Sequence, residues 1–297
     1  MHDDLYPPYV SFLGVPCTAP DDAPAVSVLP LPYDLTTSYQ PGSRRGPLAI
    51  LHASCYVETW DDEVGRDLAE ELRLTTLGPV VPETAGPEAM QARIRRVADE
   101  IVASGAFLVG LGGEHSVTPP LVNSVRRRHP GLGVLQLDAH ADLRDAYEGS
   151  PANHACAMHQ LVAEGIPLAQ VGIRSLTRPE QELVREKRIC TVFAAEAVRR
   201  PVAEWVGRVV DALPDEVYVT VDLDALDPSI MPATGTPEPG GLGWYETLEL
   251  LRTVAERRRI VGCDVVELMP IPGFAGPDFL AAKLVCKLLA YALLLKR

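Results

Sequence analysis

The chain has no Cys-x-x-Cys pair, although it holds six cysteines: Cys17, Cys55, Cys156, Cys190, Cys263 and Cys286. Scattered thiols, several inside apolar runs, read as reduced core residues of a cytoplasmic protein and not as a disulfide framework. Cys156 lies near the motifs described below but has no activating partner in the sequence, so it reads as a bystander. Positive charge is also scarce: 27 Lys and Arg stand against 40 Asp and Glu, for a net charge of −13. That argues against nucleic acid as a partner, which favours basic surfaces. It is compatible with a small cationic substrate, and equally with ordinary solubility. The acidic start, Met1-His2-Asp3-Asp4, lacks a signal-peptide pattern. The apolar run over 279–295 is interrupted by Lys283 and Lys287, so it reads as a buried or interface helix and not as a membrane span. No Gly/Ser linker, repeat or low-complexity tract divides the chain. Its 297 residues, 47% of them hydrophobic, read as one domain over 1–297 with a Pro-rich arm over 1–24.

What the sequence does have is a concentration of carboxylates and imidazoles in three short motifs. They are Gly112-Gly113-Glu114-His115-Ser116, Asp138-Ala139-His140-Ala141-Asp142 and Asp222-Leu223-Asp224. Each follows a short apolar run, at 106–111, 133–137 and 217–221, of the kind that forms buried parallel strands. In extended chain alternate side chains point the same way, so Asp138, His140 and Asp142 should converge on one point. The two glycines allow a sharp turn that brings His115 beside the other strand ends. Ligands at the carboxyl ends of several strands fit the general placement of sites in open α/β sheets.

Four clustered Asp would repel one another unless positive charge sat between them. A lone Asp-x-Asp after a strand often only caps a helix; three such motifs after three strands point to a dinuclear metal site. The donors are oxygen and nitrogen with no thiolate, which favours two Mn²⁺ over structural zinc. Two such ions roughly 3.5–4 Å apart share a water and lower its pKa toward neutrality.

Around the motifs, strands are expected at 25–31, 169–173, 189–193 and 260–266. Helices are expected at 47–54, at 87–104 with Met90, Ile94, Val97 and Ile101 on one face, after His115 up to His129, and from about His154. Strands alternating with helices give a three-layer α/β/α fold with a mainly parallel central sheet.

In order and spacing the motifs resemble the signatures of the ureohydrolases, the arginase and agmatinase family. The third continues as Asp222-Leu223-Asp224-Ala225-Leu226-Asp227-Pro228-Ser229, and the likeness runs from Pro32-Tyr33-Asp34 to Glu267-Leu268-Met269-Pro270. The resemblance implies that His115 and Asp142 ligate one Mn²⁺, His140 and Asp224 the other, and that Asp138 and Asp222 bridge them. It implies that Asp142 hydrogen-bonds the nucleophile, that His154 shuttles protons and that Glu267 pairs with the substrate guanidinium. Outside that pattern His154 would be a helix-start histidine and Glu267 a strand-end carboxylate. Two departures stand out. Glu114 replaces the Asp of many members, with little expected to change because neither is a ligand. Ala155 follows His154 where arginases have Gly.

The loop 143–154 lacks the Asn- and Ser/Thr-rich spacing with which arginases hold an amino-acid end. It is similar to the Leu-Arg-x-x-Tyr-x-Gly loop of one bacterial and archaeal agmatinase group, and so is the stretch 267–283. The implied reaction is agmatine plus water to putrescine plus urea. Asp145 or Glu148 could attract the distal amine, or each could be a solvated loop acid. Alternatives are guanidinobutyrate, arginine or formiminoglutamate as substrate, a one-zinc deacetylase-like relative, or a non-catalytic polyamine or guanidine binder. The family also implies a homo-oligomer, trimer or hexamer.

Overall fold

The computed structural model describes residues 4–8, 10–14 and 19–295; Cys17 and part of the expected N-terminal arm lie outside them. The principal sheet has eight strands. In chain order they are β1 (Ala25–Leu31), β2 (Arg73–Thr76), β3 (Phe107–Gly112), β4 (Gly133–Leu137), β5 (Leu168–Ile173), β6 (Cys190–Phe193), β7 (Glu216–Asp222) and β8 (Arg259–Val266). They lie side by side as β2-β1-β3-β8-β7-β4-β5-β6, and every pairing is parallel.

The larger helices are α1 (Gly46–Ser54), α2 (Pro87–Ser104), α3 (Thr118–Val125), α4 (Ala157–Ala163), α5 (Arg178–Lys187), α6 (Val202–Ala212), α7 (Trp244–Arg257) and α8 (Gly276–Leu289). Alternate strand residues feed two cores. Val109, Leu111, Leu135, Val219 and Val221 pack with α1, α6, α7 and α8. Leu108, Val134 and Tyr218 face the other way, toward α2, α3, α4 and α5. Sheet-face alternation thus produces three layers, as the expected fold class requires.

Register is what positions the site. Across the four central strands, Leu111, Val265, Val221 and Leu137 sit in one hydrogen-bonded row. The residues just beyond that row therefore emerge together at one edge of the sheet. These are the Gly113 turn, Val266–Glu267, Asp222–Asp224 and Asp138–Asp142.

The glycine at 113 acts by close approach. Its carbonyl accepts from Glu267 N–H at 2.7 Å, its N–H donates to Leu31 O at 2.8 Å, and Glu114 N–H donates to Tyr33 O at 2.8 Å. A Cβ on Gly113 would overlap the Tyr33 carbonyl oxygen and lie 2.8 Å from its carbon. The sharp turn expected of Gly112-Gly113 is there, but neither glycine has a positive φ; absence of a side chain is what matters.

Two expectations differ in extent, and one strand was not expected. The helix after His115 ends at Val125 and is continued only by turns. The edge strand β2, with exposed Arg73 and Thr75, carries no apolar alternation by which it could have been read. The C-terminal run forms α8 and a further turn of wider helix at Ala290–Leu294. Lys287 within it is 3% exposed, with its ammonium 2.9 Å from Asp61 and 3.0 Å from Glu63. The charge that interrupts the run is thus a buried anchor for the short hairpin near Trp60–Asp61. Among the described residues no helix is long and apolar enough to cross a membrane.

Gly113→Ala should lower the urea midpoint with little change in its slope, at a cost of at least about 1–3 kcal/mol for forcing atoms into a filled site. An unchanged midpoint would mean that the turn can relax away from Tyr33.

Candidate metal centre

His115 caps the turn after β3 and is 1% exposed. Its Nδ1 lies 3.1 Å from Asp138 Oδ2, 3.0 Å from Asp142 Oδ2 and 3.5 Å from Asp222 Oδ2. Despite these distances, Nδ1 makes no hydrogen bond to any described residue. The other ring nitrogen explains why. Nε2 lies 2.9 Å from Thr220 Oγ1, and Thr220 donates its hydroxyl proton to Asp264 Oδ1 at 2.6 Å. A hydroxyl has one proton to give, so Nε2–H donates to Thr220, and the neutral ring that a cation would meet carries its lone pair on Nδ1. A buried lone pair ringed by three carboxylate oxygens is the arrangement of a cation ligand held by an outer partner.

A second donor set adjoins it. His140 Nδ1 lies 2.9 Å from Asp224 Oδ2 and 3.7 Å from Asp138 Oδ1. Two groups can each hold a metal ion, His115 with Asp138 and Asp142, and Asp138 with His140 and Asp224, the donor atoms within each lying no more than 4.8 Å apart. Asp138 belongs to both. This corrects the expectation that Asp138, His140 and Asp142 converge on one point. The chain leaves the extended conformation after β4, and Asp142 takes a left-handed backbone with φ 52°. His140 and Asp142 therefore serve neighbouring points, with Asp138 between. Glu267 is left-handed as well, with φ 65°. Strain of roughly 1–2 kcal/mol for each such residue is concentrated at this edge.

One oxygen of each central carboxylate is tied to backbone. Asp138 Oδ1 accepts from His140 N–H at 2.6 Å, Asp222 Oδ1 from Asp224 N–H at 2.9 Å and Asp224 Oδ1 from Ala139 N–H at 3.0 Å. Gln136 adds a 2.7 Å bond to Asp138 Oδ2 and is itself held by Gln170 at 2.6 Å. Glu267 Oε1 accepts from His115 N–H at 2.8 Å. The carboxylates are thus fixed before any ligand arrives.

The electrostatics express the same demand for positive charge. Burial opposes the ionised form of Asp222, and the neighbouring Asp224 and Asp138 charges add to it, so its pKa lies well above the carboxylate range. Burial and the Asp138 charge push Asp142 up to about 6. Burial, then the Glu114 charge, raises Glu267. Burial pulls the imidazoles down, but the acids around them win: His140 is pushed up to about 12, chiefly by Asp224, and His115 rises well above its ordinary value. The donor set wants cations and contains no thiolate. Cys156 is buried, and burial pushes its thiol up to about 12, in keeping with a bystander.

His115, His140, Asp142, Asp222 and Asp224 line a cavity of about 290 Å³, with the fully buried Asp138 behind them; its walls include Ser38, Arg144, Tyr147, His154, Thr177 and Glu267. The fold places His115, Asp138, His140, Asp142, His154, Asp222, Asp224 and Glu267 at this edge. Asp145 and Glu148 are not among its lining residues. Burial draws the His154 imidazole down to about 4, so it is neutral at ordinary pH. Sequence reading missed Thr220, Asp264, Gln136 and Gln170, because a polar residue within an apolar strand gives no hint of which ligand it will hold. It also dismissed Glu114, which is fully buried and accepts three hydrogen bonds.

The arrangement matches known proteins over nearly the whole chain. A profile described as the arginase family matches residues 24–291. The chain belongs to the arginase family. It is 43% identical over 271 residues to an N(1)-aminopropylagmatine ureohydrolase of Thermus thermophilus, covering 90% of each chain. It is 35% identical over 242 residues to an agmatinase of Pyrococcus horikoshii, covering 81% of this chain and 82% of that one. The solved proclavaminate amidino hydrolase of Streptomyces clavuligerus superposes with a TM-score of 0.87 at 27% identity, over 98% of this chain and 99% of that one. This arginase-family member is accordingly a ureohydrolase, an enzyme of guanidino C–N bond hydrolysis. Family enzymes depend on a binuclear metal centre, and the two donor sets are where this chain can hold one.

A pH dependence follows from His154. Its folded pKa, about 4, lies below its ordinary value of 6.5. The unfolded chain therefore binds the extra proton first, and the stability His154 contributes above pH 6.5 is lost as pH falls toward 4. Urea titrations of wild type and His154→Asn should diverge across that window, with the variant losing less. Parallel curves would show His154 to be solvated.

Proposed function

We propose that this chain hydrolyses the guanidino group of agmatine-type amines, releasing urea, with two Mn²⁺ held by His115, Asp138, His140, Asp142, Asp222 and Asp224. The whole chain acts as one arginase-like domain in this reading. The observation that carries it is the unpaired, buried Nδ1 of His115 facing three carboxylate oxygens. His115 and Asp142 would hold one ion and His140 and Asp224 the other, with Asp138 and Asp222 shared. An all-oxygen-and-nitrogen donor set suits Mn²⁺. When bound, the ion pair supplies Lewis acidity, acidifying water into a nucleophile and offsetting charge at the reacting carbon.

The protein's own groups supply the rest. Glu267, its carboxylate anchored by His115 N–H, lines the cavity and pairs with the guanidinium by charge-assisted hydrogen bonds. Asp142 sits beside the reacting centre and lines the cavity, where its carboxylate can take a proton from the nucleophile and return it to the leaving amine. Protonation is required because an amine anion is a very poor leaving group. His154, neutral and on the cavity wall, passes protons to and from solvent.

Two substrates stand within this reading. The loop over 143–154 favours agmatine. The higher identity to the N(1)-aminopropylagmatine ureohydrolase than to the agmatinase favours agmatine extended by an aminopropyl group. Urea release from Mn²⁺-loaded protein, measured side by side on these two amines, arginine, guanidinobutyrate and formiminoglutamate, separates the substrates. Turnover confined to arginine or formiminoglutamate would overturn the agmatine reading; tight binding without urea from any of them would favour a non-catalytic binder.

Asp138→Ala tests the site. It removes the donor common to both groups, so the loss in metal affinity should exceed the roughly 10–100-fold typical of deleting a ligand's outer partner. Urea release should vanish with the metal. Full metal content with normal turnover would falsify the assignment.

A further inference from the structure

Thr36 lies in the loop after β1, 118 residues from His154 in sequence, yet the two are joined twice. His154 N–H donates to Thr36 Oγ1 at 3.0 Å, and His154 Nδ1 lies 3.2 Å from the same oxygen. Behind Thr36 stands Glu114. Glu114 Oε1 accepts from Thr36 Oγ1 at 2.7 Å and from Ser116 Oγ at 2.5 Å, while Oε2 accepts from Thr36 N–H at 2.6 Å.

Counting protons decides what this arrangement does. A hydroxyl donates once and accepts twice. The single proton of Thr36 is committed to Glu114, and one of its lone pairs takes His154 N–H. The other can serve His154 only if Nδ1 is the donor. The geometry points to Thr36, clamped by Glu114, as the positioning residue that fixes His154 as the Nδ1–H tautomer and leaves the Nε2 lone pair toward the cavity. On that side Nε2 lies 3.5 Å from Ser38 Oγ, and both residues line the cavity. A neutral imidazole with its lone pair toward the cavity accepts a proton there without first rotating, and it releases one by the same atom.

Glu114 is one methylene longer than Asp. The carboxylate reaches both the backbone and the hydroxyl of Thr36, so a two-point grip holds the hydroxyl in one rotamer. This deepens the proposed proton-carrying role of His154 and rests on it for its kinetic consequence, but the tautomer assignment stands apart from that role.

The test uses nitrogen-15 NMR of the histidine rings in the full protein loaded with diamagnetic Zn²⁺, with His154 assigned by its loss in His154→Asn. The wild type should show the Nδ1–H tautomer for His154. Thr36→Val, which keeps the shape and removes the hydroxyl, should lose that signature. In the Mn²⁺ enzyme the same variant should lower kcat about 10²-fold, with KM and metal content nearly unchanged. Thr36→Ser should restore both the signature and most of the rate. An Nε2–H tautomer in the wild type, or an unaltered tautomer in Thr36→Val, overturns the inference. A changed tautomer with wild-type kcat would leave the assignment standing and remove His154 from the proton path.

Discussion

Mutual repulsion among buried carboxylates is the constraint around which this molecule is arranged. Asp138, Asp142, Asp222 and Asp224 are all at most 6% exposed and meet at one edge of the sheet. Burial and their neighbours' charges hold Asp142 and Asp222 above the ordinary carboxylate range. Such a cluster is unfavourable unless cations share it. The fold supplies the rigidity to keep it together. Four adjacent parallel strands end in register, and backbone N–H groups grip one oxygen each of Asp138, Asp222 and Asp224. Left-handed backbone at Asp142 and Glu267 shows where local conformational preference gives way to the demands of the site.

Much of this was legible in the sequence because the two governing signals are local. Apolar runs such as Gly-Val-Leu-Gln-Leu at 133–137 announce buried strands, and Asp-x-His-x-Asp immediately after one announces the edge at which a site forms. Helix α2 was readable to the residue because Met90, Ile94, Val97 and Ile101 carry the period and glycines flank it. What escaped depended on contacts distant in sequence. The chain's departure from extended geometry at Asp142 is imposed by the site itself, so alternation misjudged where that side chain points. Strand β2 pairs along one edge of the sheet with half of its side chains outward, and it has no pattern to read.

The residues behind the donors were the least legible part. Thr220 and Asp264 fix the proton on the outer nitrogen of His115, and Thr36 and Glu114 do the corresponding work at His154. The two histidines thus use one device, a hydroxyl whose single proton is committed to a carboxylate, to present opposite nitrogens to the site. Each such pair joins residues more than 40 positions apart, so nothing in a local window could have revealed it. Family membership accounts for the reaction class; it is the hydrogen-bond count that accounts for the direction in which each imidazole faces.

The central claim is that two cations sit side by side at this edge with Asp138 shared between them. Anomalous diffraction from crystals of the Mn²⁺-loaded protein tests it most directly. Two manganese peaks roughly 3.5–4 Å apart are expected, one against His115 Nδ1 and Asp142, the other against His140 Nδ1 and Asp224. A single peak, or two ions bound away from Asp138, would contradict the account.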